Sequence, residues 1–301
     1  MNNRKELKNS DIKVLDFVAR YKIMRASDTI ILYKSERYRM KRIRELVSKR
    51  YLKRIGRLYL RLDYYGIKAV KTFGNAFKNN NRDLDYIERL KAISRIAATS
   101  LESITEFIPS WELKDKNEFT IFGRKKIGDI IFSNIRRAAY YINKNKGTVY
   151  IKQVINDITK DEKLSNIVVF TDNFNIIQKQ YSFFKFNKKS LLIINNTKVN
   201  RRILRNYHNI SYHEITEEIY KVHVFLSDIM FTDFMIDSNH YISFMPFIDI
   251  SQLFIIKDSN SRDKIDILTL KENEETIKKL YCKAKLIFID EQIGGQIEGL
   301  I

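Results

Sequence analysis

Twelve basic residues crowd into Lys34–Arg61 against only two acidic ones, Glu36 and Glu45. A net +10 within 28 residues repels itself unless solvent or a polyanion screens it. Arginine at this density is the chemistry of phosphate and base-edge recognition. At 100° per residue, Arg37, Tyr38, Lys41, Arg42 and Glu45 fall on one side of a helix, opposite Met40, Ile43, Leu46 and Val47. The outward set is expected to face the major groove of duplex DNA, where Arg or Lys donates to guanine O6 and N7. Arg39 and Arg44, nearer the apolar flanks, are expected to reach phosphates, and Ser35 at the helix start to hydrogen-bond another. Arg54, Arg57 and Arg61 surround a glycine turn and are expected to take backbone or minor-groove contacts, salt-sensitive and largely independent of sequence.

Metal-dependent hydrolysis is the second chemistry to weigh. Restriction-endonuclease-like centres hold Mg2+ between an Asp at a strand start and carboxylates on the next strand. Gly128-Asp129-Ile130-Ile131-Phe132 supplies the Asp, but Ala138–Lys144 contains no carboxylate, and Glu118 is the nearest acid upstream. No catalytic residue, no metal ligand and no cofactor is therefore expected. His208 and His213 lie five apart, off any shared helical face, and His223 and His240 are isolated; all four are expected to be ordinary surface or core side chains. Gly123 and Gly128 lack the spacing of a phosphate loop, and no Gly-x-Ser-x-Gly segment occurs. Asp172 follows an apolar run, where α/β sheets often place functional groups, and is expected to cap the next helix. Cys282 is the sole cysteine, which excludes an internal disulfide and a cysteine-based zinc site.

The basic cluster needs a scaffold. Ser10-Asp11 starts a helix carrying Ile12, Leu15, Val18 and Ala19 at helical spacing. A short helix over Ala26–Leu32 follows, then a third from Ser35 to about Arg50. Leu52–Ile55 and Leu58–Leu62 flank Gly56 as a hairpin, with Leu58, Leu60 and Leu62 on one face and Tyr59 and Arg61 on the other. A closing helical segment begins near Asp63. This order predicts a winged helix-turn-helix over residues 1–73, the hairpin being the wing. Residues 74–83 are polar and turn-rich, a linker. Residues 84–301 are expected to form an α/β domain with a long N-terminal helix, Leu84–Ile108, ahead of a central, partly parallel sheet. Ile167–Phe170 and Leu191–Ile194 are continuous apolar runs, as in strands buried on both faces.

Charge follows the same division. Residues 1–78 hold 22 basic and seven acidic residues, net +15 of the chain's +19. The chain's 301 residues are 44% hydrophobic, enough for packed cores and against wholesale disorder. No apolar run approaches the roughly 18–20 residues of a membrane span. Met1-Asn2-Asn3-Arg4-Lys5 is polar with no apolar segment behind it, so a secretory signal is not expected, and a soluble cytoplasmic protein is.

The order of elements resembles the replication-relaxation proteins of plasmids and mobile elements. The likeness is carried by Ile12…Leu15…Val18-Ala19-Arg20-Tyr21, by Arg42-Ile43-Arg44-Glu45-Leu46-Val47…Tyr51-Leu52-Lys53-Arg54, and by Leu60-Arg61-Leu62…Gly66. It extends more loosely through Lys126–Phe132, Tyr140-Tyr141-Ile142 and Ile167–Asp172. The resemblance implies a DNA-binding winged helix ahead of a restriction-endonuclease-like α/β domain. Where such proteins tend to carry an acid on the strand after the Asp, this chain has Tyr141 and Asn143. That departure implies a nuclease fold reused for binding or dimerisation. The expected function is sequence-specific binding of double-stranded DNA, non-catalytically, at a replication or transfer origin. A second copy of the chain, or a replication or transfer protein, would be the partner of the second domain. A transcriptional regulator at its own operator is the alternative, and a Mg2+-dependent nuclease using Asp129 a third.

Overall fold

A computed structural model of the chain describes residues 7–70, 84–101, 106–116, 125–132, 134–172, 190–197, 200–201, 203–204, 211–227, 232–249, 252–253, 255–256, 264–280 and 285–289. It divides into two units, Met1–Pro109 and Ser110–Ile301. The architecture is α+β, with helices and mixed sheets that include parallel strands.

The first unit contains α1 (Asn9–Tyr21), β1 (Met24–Arg25), a 3-10 turn (Asp28–Leu32), α2 (Glu36–Ser48), β2 (Leu52–Ile55), β3 (Tyr59–Leu62), α3 (Tyr64–Ala69), α4 (Leu84–Ala97) and β4 (Glu106–Pro109). The apolar spacing of α1 and α2 buries Val14, Leu15, Val18, Ile43 and Leu46 completely or nearly so, together with Leu52, Leu60 and Leu62 of the hairpin. Arg50 takes a positive φ of 59° as the chain leaves α2 for β2. Gly56, at φ +56°, turns the hairpin tip, a conformation that costs glycine little.

Three sequence expectations change here. The short second helix is a 3-10 helix over Asp28–Leu32 rather than an α-helix, preceded by a strand in which Met24 and Arg25 pair antiparallel with Leu60 and Tyr59. That pairing gives sheet order β1-β3-β2; Tyr59 is buried, with Lys91 of α4 over its ring, whereas Leu58 sits 57% exposed at the tip. The long helix stops at Ala97 and groups with the first unit, not the second. Lys22 Nζ donates to Tyr86 Oη at 3.1 Å, and Tyr21 Oη donates to the Phe107 carbonyl at 2.9 Å. The boundary therefore falls at Pro109/Ser110 rather than at 73/84; the expected linker, 74–83, lies outside the described residues.

The second unit contains α5 (Ser110–Asp115), β5 (Lys126–Phe132), β6 (Ile135–Ile142), α6 (Thr148–Lys160), β7 (Asn166–Thr171), β8 (Ser190–Asn195), α7 (Tyr212–Tyr220), β9 (Phe225–Leu226), β10 (Phe234–Asp237), β11 (His240–Met245), β12 (Ile248–Asp249), β13 (Lys264–Thr269), α8 (Glu274–Leu280) and β14 (Lys285–Phe288). Instead of a single central sheet there are two. In one, β12-β8-β7-β6-β5 lie side by side; β6, β7 and β8 are parallel, and β5 and β12 antiparallel to their neighbours. In the other the order is β14-β13-β11-β10-β9, with β11, β13 and β14 parallel. Both sheets contribute to one apolar cluster: Tyr140, Ile142, Val169 and Ile193 meet Tyr241, Met245, Ile265 and Ile267, together with Ile151, Val154 and Ile158 of α6. Ile167–Phe170 is fully buried, as its unbroken apolar run predicts. Phe254-Ile255-Ile256 reads by sequence as a strand, but 255–256 is helical. Phe119–Phe122, which reads by sequence as a strand, and Phe174–Phe184, which reads as a helix, lie outside the described residues. Among those residues, no helix is long and apolar enough to cross a membrane.

Candidate nucleic-acid interface

Ser35 fixes where α2 begins. Its backbone is extended, and its Oγ accepts from Tyr38 N at 3.3 Å, the standard N-cap bond. From that start, Arg37, Met40, Lys41, Arg44 and Ser48 form one exposed stripe along the helix, opposite buried Arg39, Ile43 and Leu46. Ser35, Arg37, Tyr38, Met40, Lys41, Arg44 and Glu45 surround an open depression of about 590 Å3. Met40, assigned to the core by periodicity, is 42% exposed within the cationic stripe. Tyr38 lies at the edge, its ring 5.9 Å from that of Tyr33 and under Lys8 Nζ.

Two arginines expected to reach DNA, Arg42 and Arg39, are held by carboxylates of this chain instead. Arg42, placed on the base-reading face by sequence, is only 14% exposed and ion-pairs with Asp11, which is fully buried at the start of α1. It also pairs with Glu45. Asp11 further accepts from Tyr33 Oη at 2.8 Å and from Lys8 N at 2.9 Å. A carboxylate removed from water needs a counter-charge and hydrogen bonds, and Arg42 is the cation within reach. The bond to Asp11 raises the Arg42 guanidinium above its ordinary range; burial and the same carboxylate push up the Tyr33 phenol. Arg39, expected at phosphates, forks onto Glu36 and donates to the Ala26 carbonyl. The Arg39 fork holds Glu36 below the usual carboxylate range. Arg44 makes the opposite correction: it stands exposed on the stripe rather than beside the core.

On the hairpin, Arg54, Arg57 and Arg61 are all exposed. Arg61 alternates with buried Leu60 and Leu62, and Arg54 Nη1 donates to the Arg57 carbonyl at 3.3 Å. Arg50 and Lys53 approach Asp63 at 3.6 and 3.8 Å. Among the described residues, Arg37, Lys41, Arg44, Arg57 and Arg61 have no carboxylate within ion-pair reach.

In the second unit Asp129 is buried, with Lys126 Nζ at 2.6 Å and Arg136 Nε at 2.7 Å from its two oxygens. Asp172 is fastened to neighbouring strand ends: it accepts from Tyr141 Oη and from Asn196 Nδ2, the latter at 2.9 Å. The helix it was expected to cap lies outside the described residues. Asn196 in turn receives Arg201 Nη1, and Asn200 joins the Asn195 carbonyl to Glu272. This polar cluster sits at the carboxyl ends of β7 and β8; its sequence signal is Asn195-Asn196 directly after an apolar strand. A second cluster, also missed, gathers Tyr220 Oη (2.7 Å), His240 Nε2 (3.0 Å) and Lys285 Nζ (3.4 Å) around Oδ2 of buried Asp266. Burial and this carboxylate raise the Tyr220 phenol. Separately, His213 and Glu217 of α7 and His223, just beyond it, come together; the one-turn spacing of His213 and Glu217 was their only trace in the sequence.

Comparison with protein-family models, curated proteins and solved structures finds no match to this chain.

Proposed function

We propose that this chain is a sequence-specific double-stranded DNA-binding protein of a plasmid or mobile element, acting without catalysis at a replication or transfer origin. Its first unit is read as a winged helix-turn-helix, with α2 as recognition helix and the β2–β3 hairpin as wing. One contrast carries the reading. Arg39 and Arg42 are neutralised internally, whereas Arg37, Lys41, Arg44, Arg57 and Arg61 stand exposed with no acidic partner among the described residues. Cations sorted in this way suit phosphate and guanine contacts. Met40, between them, offers apolar contact to a thymine methyl.

The second unit is read as the platform for a second copy or a replication or transfer protein. Its restriction-endonuclease likeness rests on Lys126–Phe132 and Ile167–Asp172. The non-catalytic reading is supported at Asp129, whose charge is already matched by Lys126 and Arg136. The plasmid setting rests on the sequence resemblance alone.

Selection of a preferred duplex from a random pool, followed by titration of single variants of the full chain, tests the reading. Arg44→Ala is expected to weaken binding by about 1–3 kcal/mol on the selected duplex and less on a scrambled one. Equal losses on both would make Arg44 a phosphate contact, and no loss on either would remove α2 from the interface. Arg57→Ala and Arg61→Ala are expected to weaken both duplexes alike. Each should reduce the slope of log K against log salt by about 0.9.

A further inference from the structure

α7 opens at Ser211, whose Oγ accepts from Glu214 N, and closes where Lys221 takes a left-handed φ of 56°. The turn folds the chain back along α7, and it brings His223 to His213 and Glu217. His213 and Glu217 are one turn apart on the same helix face. The polar atoms of all three side chains lie within 4.8 Å of one another.

The hydrogen bonds around these atoms set their roles. His213 Nε2 lies 3.0 Å from the Val224 carbonyl. A carbonyl only accepts, so the Nε2 proton is fixed there and the Nδ1 lone pair faces Glu217 Oε2, 3.6 Å away. An imidazole whose second nitrogen donates to a backbone carbonyl has the outer-shell arrangement of a metal-ligating histidine. Glu217 Oε1 accepts from Val224 N at 3.2 Å and faces His223 Nδ1. His223 is 67% exposed, free to swing the short distance that closes the group around an ion at about 2.0–2.2 Å per bond. Two imidazoles and one carboxylate favour zinc-like ions over Mg2+ or Ca2+, which take oxygen ligands.

We propose that His213, Glu217 and His223 bind one divalent transition-metal ion of the zinc class, clipping α7 to the segment that leads into the edge strand β9. The solvent side leaves a fourth position for water. The inference is independent of the DNA-binding reading.

The test is Co2+ titration of the metal-free full chain, followed by visible absorption, with Zn2+ displacement and Mg2+ as control. One equivalent of Co2+ is expected to give a d–d spectrum that Zn2+ abolishes and Mg2+ does not. His223→Ala, at an exposed position, is expected to weaken binding by about 100-fold or more. Glu217→Gln, which can still accept from Val224 N, is expected to weaken it as well. Absence of a Co2+ spectrum at tenfold excess would overturn the proposal. So would unchanged affinity in His223→Ala, which would place the ion at another donor set.

Discussion

Asp11→Ala is expected to destabilise the first unit by about 3–5 kcal/mol, the range for removing one partner of a buried ion pair. Asp11 is fully buried and satisfies three groups at once: the Arg42 guanidinium, the Tyr33 hydroxyl and the Lys8 amide. Its loss strands a largely buried cation and a buried donor, and it detaches α2 from the start of α1. Arg42→Ala leaves the complementary defect, an uncompensated carboxylate in the core, and is expected to fall in the same range. Urea unfolding gives the magnitude, and hydrogen exchange resolved to α1 and α2 gives the place. If Arg42 instead read a base, Arg42→Ala would leave stability unchanged and lower affinity only on the preferred duplex. That outcome would return Arg42 to the interface.

Gly66→Ala is the second large effect. A Cβ at position 66 would lie 2.0 Å from the Tyr51 carbonyl oxygen. This carbonyl belongs to backbone that cannot move cheaply, because it also accepts from Asp63 N at 3.0 Å. The substitution must push α3 away from the base of the hairpin, with an expected cost of about 3 kcal/mol, at the upper end for overpacking. Gly56→Ala provides the internal comparison. Position 56 has open space around it but a φ of +56°, so only the left-handed backbone is penalised, by roughly 1–2 kcal/mol. Matched unfolding curves should rank Gly66→Ala well below Gly56→Ala. Equal stabilities would mean that α3 is not seated against Tyr51.

The sequence revealed elements more readily than it revealed partners. Periodicity located α1, α2, the hairpin and the buried strand Ile167–Phe170, because each follows from local spacing of apolar residues. It misassigned Arg42 because a helical wheel registers angle and not what approaches the helix: Asp11 is 31 residues away and meets it only through the packing of α1 on α2. Met40 was misplaced by the same logic, since an apolar residue at the rim of a wheel is counted as core. Tyr59 was turned outward by strict alternation, whereas it is buried, with Lys91 of α4 over its ring. The division of the second unit into two sheets depended on long-range strand pairing such as β11 with β13, which no local pattern records. His223 read as isolated because the left-handed turn at Lys221, not helical spacing, brings it to His213.

The decisive experiment titrates the full chain, wild type and the Arg37→Ala/Lys41→Ala/Arg44→Ala variant, against DNA flanking its own gene and against scrambled duplex over a salt series. Wild type should bind the flanking DNA more tightly, with affinity falling steeply as salt rises. The triple variant should lose the preference while its unfolding curve stays unchanged, since all three side chains are exposed. Wild-type binding that shows no preference and disappears by physiological salt, or a triple variant that still discriminates, would contradict the assignment of DNA recognition to the exposed stripe of α2.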